Sequence, residues 1–215
     1  METVTLLIGP TKLQTTISKE LLCGVSQYFQ KAFNSRFRES VTSTIELPDD
    51  EVMTIESFIE WVYTRKPIDV LRSDYLNLYM IADKYDVPQL RKDVLNASFH
   101  FLGSKNTTSG ALEMMKVVDN VFGHTPPASG LRRMIVEYCV WRKDKDWFEA
   151  EKTQQWVLSE PEIASDLLLA MCRRAWGGKD PFVHGSAEDY YDPGIKMDDP
   201  PAKCTRRRKL RTKAD

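Results

Sequence analysis

The sequence predicts an α+β fold, and three observations carry that expectation. Residues 4–8 and 12–18 read as two short strands around a tight turn, and residues 43–47 alternate polar and apolar once more. From residue 52 to about 175 the apolar residues recur instead at three- and four-residue steps, the spacing of one buried helix face. The expected architecture is a small, mainly three-stranded sheet capped by helices and followed by an α-helical extension.

In the hairpin, Leu13, Thr15 and Ile17 alternate with Lys12, Gln14 and Thr16, and Gly9-Pro10-Thr11 supplies the turn. Ser18 is placed to cap a short helix that Gly24 ends, and Ser26 to cap a second one carrying Phe29, Ala32 and Phe33 on one face. In the third strand Ile45 and Leu47 point the same way, and Pro48-Asp49-Asp50 closes it while offering a carboxylate to the next helix start. Val52, Ile55, Phe58, Ile59 and Val62 form the stripe of that helix. Two more helices follow, one with Tyr75, Leu78, Tyr79 and Ala82 inward, the other opening at Pro88 and carrying Leu90, Val94, Ala97 and Phe101.

Residues 103–110 are polar and read as a domain break. Beyond them Leu112, Met115, Val118 and Phe122 mark one helix, and Leu131, Met134, Ile135, Tyr138 and Trp141 another. A last helix is expected at Pro161, with Ser159 and Glu162 as a capping box and Ile163, Leu167, Leu168 and Met171 buried. Trp141, Trp147, Trp156 and Trp176 crowd into this region and are expected to pack as core, with Arg142 to Asp146 a solvated helix end. After Trp176 an acidic stretch precedes a basic one with few large apolar residues, so residues 177–215 are expected to be a disordered charged tail.

Composition narrows the function classes. Lys and Arg total 30 against 31 Asp and Glu, a net charge of -1, so no global field draws nucleic acid or anionic lipid. Cys23, Cys139, Cys172 and Cys204 lie far apart without a Cys-x-x-Cys pair, which reads as free thiols in a reducing compartment. Neither a secretory start nor an apolar stretch near the ~20 residues of a membrane span is present, so a soluble protein of the nucleus and/or cytoplasm is expected. His100, His124 and His184 stand apart, and no nucleophile elbow, phosphate-cradling loop or paired metal ligands appear. The expectation is a non-enzymatic protein with no catalytic residues, cofactor or metal; an enzyme with an unrecognised site is the rival reading.

Six segments, in this order along the chain, resemble a BTB (or POZ) domain. They are Val4-Thr5-Leu6-Leu7-Ile8-Gly9; Leu21-Leu22 with Ser26-Gln27-Tyr28-Phe29; Phe37-Arg38-Glu39-Ser40; Ile45-Glu46-Leu47-Pro48-Asp49-Asp50; Phe58-Ile59-Glu60-Trp61-Val62-Tyr63-Thr64; and Leu78-Tyr79-Met80-Ile81-Ala82-Asp83-Lys84-Tyr85. The resemblance implies a BTB/POZ domain over residues 1–103, a helical BACK-like extension over 104–176 and the tail beyond, an arrangement similar to BTB-domain proteins of filamentous fungi. Two departures stand out: Ser18 lies where many members have a His, and the extra amino-terminal helix and strand of dimerising members do not precede the hairpin.

The resemblance implies protein partners. Phe37, Arg38 and Glu39 match the hydrophobic-x-Glu motif by which some BTB adaptors grip a cullin scaffold of ubiquitin ligases. Physically, an exposed aromatic anchors in a partner groove while a carboxylate accepts charge-assisted bonds at the rim. Leu7, Leu21, Leu22, Val25 and Tyr28 offer apolar area either for a homodimer or for the core. Arg206, Arg207, Arg208, Lys209 and Arg211 resemble a nuclear-import signal, and no DNA-binding motif accompanies them. The leading expectation is an adaptor that recruits a substrate to a cullin-type ligase; the alternative is a BTB-type nuclear co-regulator or scaffold without ubiquitin chemistry.

Overall fold

In a computed structural model of the chain, described over residues 2–35, 37–66, 75–104 and 111–192 (111–113 by backbone alone), the hairpin forms as β1 (Thr3–Ile8) and β2 (Leu13–Ser18). Lys12 belongs to the turn rather than the strand, in the left-handed region at φ 52°, as does Gly9 at φ 67°. Val4, Leu6 and Ile8 on β1 and Ile17 on β2 are buried. Three short helices then cross over: α1 (Lys19–Cys23), α2 (Gln27–Asn34) and α3 (Arg38–Thr42). They return the chain as β3 (Thr44–Leu47), parallel to β1, so the sheet order is β2-β1-β3. A parallel return needs such a crossover, whereas β1 and β2 need only a turn.

Ser18 and Ser26 act as the predicted caps, accepting from the Leu21 and Phe29 amides. Ser26 also donates to the Tyr85 carbonyl. After β3 comes α4 (Val52–Thr64), with Ile55, Phe58 and Val62 buried as predicted and Trp61 buried beside them. Asp50 does not cap it. Its carboxylate turns inward instead, accepting from the Tyr85 hydroxyl and, at 2.8 Å, from Lys84 Nζ.

The described residues divide into two compact units, one of residues 2–66 with 81–89, the other of residues 75–80 with 90–192. Phe29 is the aromatic centre of the first, its ring 4.9 Å from Tyr85, 6.3 Å from Phe58 and 6.4 Å from Phe33. Helices α5 (Tyr75–Lys84) and α6 (Pro88–Gly103) follow α4. On α6 the buried stripe is Leu90, Val94, Leu95, Phe99 and Leu102, rotated from the expected one so that Ala97 and Phe101 are half-buried.

The second unit is helical: α7 (Ala111–His124), α8 (Gly130–Arg142), α9 (Lys145–Glu149), α10 (Glu151–Ser159), α11 (Pro161–Ala175) and α12 (Pro181–His184). Among its buried cations is Arg132, whose guanidinium donates to the Phe122 carbonyl, to Thr125 at 3.3 Å and to Glu162 at 3.1 Å, and lies 4.4 Å from the Phe122 ring centre. Glu162 is thus committed to Arg132, and the expected Ser159–Glu162 capping box does not form: Ser159 donates to the Trp156 carbonyl. Leu168, expected in the core, is 62% exposed, because Ala170 takes the inward position beside Ile163 and Leu167.

The tail expected to be disordered from residue 177 is ordered over 177–192. Asp180 caps α12 and pairs with Arg142, and a 3-10 turn (Ala187–Tyr190) carries a capping box of Ser186 and Asp189. Tyr190 is buried and donates to Glu137, while Asp192 accepts from Tyr79 at 2.6 Å and from the Gly130 amide at 2.7 Å. A Cβ on Gly130 would stand 1.6 Å from the Tyr190 carbonyl oxygen, so glycine is what allows this strap to seat. Of the tryptophans, Trp147 is buried, Trp141 and Trp156 are half-buried and Trp176 is 84% exposed. The 142–146 run is not merely solvated: Arg142 pairs with Asp180 and Asp144 caps α9.

Candidate partner-binding groove

The first unit carries an open groove of about 860 Å³ on the β3 side of its sheet. Strand β3 lies at the sheet edge and contributes Thr44, Ile45 and Glu46. Leu7 comes from β1, Tyr28, Lys31 and Ala32 from α2, and Phe37, Arg38, Glu39 and Thr42 from α3 and its start. Lys84 and Asp86 arrive from about forty residues downstream.

The expected Phe37 corner is the amino end of a helix. Its backbone is satisfied, the amide donating to Ser35 Oγ at 3.2 Å and the carbonyl accepting from the Ser40 hydroxyl at 2.7 Å. The ring is therefore held at its base but stands 65% exposed, away from the core. Val41, one helical turn on and 83% exposed, lies on the same side of α3. Burying such a ring in a partner is worth about 1.5–3 kcal/mol. Glu39 is half-buried and Arg38 exposed, and among the described residues neither they nor Lys31 make an ion pair.

The groove wall is fixed by the clasp behind it. Tyr28 packs 5.1 Å from the Tyr85 ring, and Tyr85 is held by Asp50 and Ser26. Burial, and then the bond to the Asp50 carboxylate, push the Tyr85 hydroxyl well above its ordinary value, so it stays a donor at physiological pH. Lys84 is tied to Asp50 yet 45% exposed, which leaves donors for a ligand.

The five residues expected to mediate self-association divide. Leu22 is fully buried and belongs to the core, Leu7, Leu21 and Val25 are half-buried, and Tyr28 is 42% exposed. Leu7 and Tyr28 fall in the same groove as Phe37, so the structure merges two candidate surfaces. Lys31, Val41, Lys84 and Asp86 were not singled out by sequence; charged side chains on a helix end carry no periodic signal. The basic run Arg206, Arg207, Arg208, Lys209 and Arg211 lies outside the described residues.

Chemically the groove offers an aromatic anchor and mixed charge. Among the described residues no group of three or more His, Cys, Asp or Glu comes together to hold a metal ion, and no described helix is long and apolar enough to cross a membrane. Burial pushes the Cys139 thiol up to about 12, so it carries no thiolate near neutral pH.

A comparison with curated proteins gives no match. The family model of the BTB/POZ domain matches residues 1–98. With the strand order β2-β1-β3 and the flanking helices, that match makes residues 1–98 a BTB/POZ domain, a protein–protein interaction module, with an α-helical extension after it.

Proposed function

We propose that the chain is a non-enzymatic adaptor whose groove beside Phe37, Arg38 and Glu39 grips a cullin-type scaffold of a ubiquitin ligase, leaving other surfaces for a client. One observation carries the reading: Phe37 is 65% exposed at the mouth of an open groove and is held by its backbone rather than by core packing. An aromatic so placed costs the free protein apolar exposure without contributing to its core, as residues that anchor an interface do. Glu39, half-buried and without an ion pair among the described residues, supplies a carboxylate for a partner cation. The test is co-precipitation of the full chain with the amino-terminal half of a cullin. Phe37→Ala is expected to abolish capture and Glu39→Ala to weaken it, with circular dichroism unchanged. Capture by the Phe37→Ala protein at the wild-type level would refute the reading.

A further inference from the structure

Helix α11 presents apolar residues on two opposite sides. Ile163, Leu167 and Ala170 are buried in the second unit, while Leu168 is 62%, Leu169 57% and Trp176 84% exposed. With ~100° per residue, Leu168, Cys172, Ser165, Trp176 and Leu169 share a single outer stripe roughly 100° wide. Leu158, 82% exposed, stands in the last turn of α10, just ahead of the same helix. Single exposed leucines are ordinary, but a contiguous stripe along three turns of one helix marks an interaction surface.

The charges bordering this stripe are segregated along the helix. Glu162 and Asp166 lie in its first half, Arg173 in its second, and Leu169 falls midway between Asp166 and Arg173, with Leu168 just before it. A helix with acid at one end, base at the other and leucines between is complementary to its own antiparallel copy. Two such helices related by a twofold axis set Asp166 against the partner's Arg173 twice and leucine against leucine at the centre. A parallel copy would instead set these charges against the opposite flank of the helix, where Ala164 and Met171 carry none. The chain's own residues 193–215, with eight Lys or Arg against three Asp, are net cationic, which disfavours them as a cover over Arg173.

We propose that the outer face of α11 pairs, antiparallel, with the same face of a second copy of this chain. One helix pair about 22 Å long (1.5 Å per residue) gives a small interface, so self-association in the high-micromolar range is expected. The pairing is independent of the groove reading, and would make the assembly bivalent for whatever the groove holds.

The test is sedimentation velocity of the full chain at about 200 µM, on Leu169→Glu, on Leu169→Lys and on an equal mixture of the two. Position 169 lies next to the proposed twofold axis, so each variant repels itself while the mixture pairs glutamate with lysine. Each alone is expected to fall to the monomer mass, and the mixture to regain the larger average mass of the wild type; Trp176→Ala is expected to weaken association at least tenfold. Phe37→Ala is expected to leave the mass unchanged, which separates this proposal from the groove. Single variants that keep the wild-type mass, or a mixture that fails to regain it, would overturn the antiparallel pairing, as would a wild-type chain that is monomeric at this concentration.

Discussion

Tyr85→Phe removes one oxygen from the clasp behind the groove, and its cost follows from what that oxygen does. The hydroxyl donates to Asp50 Oδ2, whose side chain is 5% exposed, while Lys84 serves Oδ1 at 2.8 Å. Without the hydroxyl, one buried carboxylate oxygen loses its donor, a penalty of about 1–3 kcal/mol. With a urea slope of about 1–3 kcal/mol per molar, the midpoint should fall by roughly 1 M. Amide exchange across α4 in increasing urea reports the unit that holds the clasp. The pH dependence supplies a second signature. Because the folded-state value of Tyr85 lies above its ordinary 10.0, this stabilisation is complete below pH 10 and declines above it, as the unfolded tyrosine ionises while the folded one keeps its proton. The gap between wild type and Tyr85→Phe should therefore be constant up to about pH 9 and narrow above pH 10, by at most about 1.4 kcal/mol per pH unit. A gap below about 0.5 kcal/mol at pH 7, or one that does not change between pH 8 and 11, would refute the clasp.

Two further outcomes are expected from the second unit. Gly130→Ala should release the 187–192 strap, because a methyl 1.6 Å from the Tyr190 carbonyl forces the backbone apart and breaks the 2.7 Å bond to Asp192; protease nicking after residue 180 should rise, and a nicking rate equal to wild type would contradict the fit. Asp166→Asn should raise the melting temperature at pH 7. Burial lifts the Asp166 carboxyl above its ordinary 3.8, so the folded state resists its ionisation and stability falls as pH rises through that interval. The advantage should vanish below about pH 3, and an advantage that persists at pH 2.5 would assign it to another cause.

The parts of the fold that were legible in the sequence are those whose signal is local. Leu13, Thr15 and Ile17 show a two-residue period, Ile55, Phe58 and Val62 a helical one, and Ser18 and Ser26 cap because a hydroxyl reaches an amide three residues on. What was not legible depends on partners far along the chain. Asp50 reads as a helix cap until Tyr85 arrives to take its carboxylate. The 177–192 strap reads as a tail because its order comes from Glu137, Tyr79 and the space above Gly130. Leu167, Leu168 and Leu169 are chemically alike, and only the neighbouring helices decide which of them faces in. At the groove, Phe37 and Glu39 were readable as a motif, while Lys84 and Asp86 were not, since the fold alone brings them there.

Calorimetric titration of the full chain with a cullin amino-terminal domain reads out the proposed anchoring of a cullin-type scaffold by Phe37. The side chain is 65% exposed, so Phe37→Ala should leave folding stability within about 0.5 kcal/mol of wild type. Loss of the anchor should weaken binding by at least about tenfold, equal to 1.4 kcal/mol or more. Absence of wild-type binding, or an unchanged affinity in the Phe37→Ala protein, would contradict the claim.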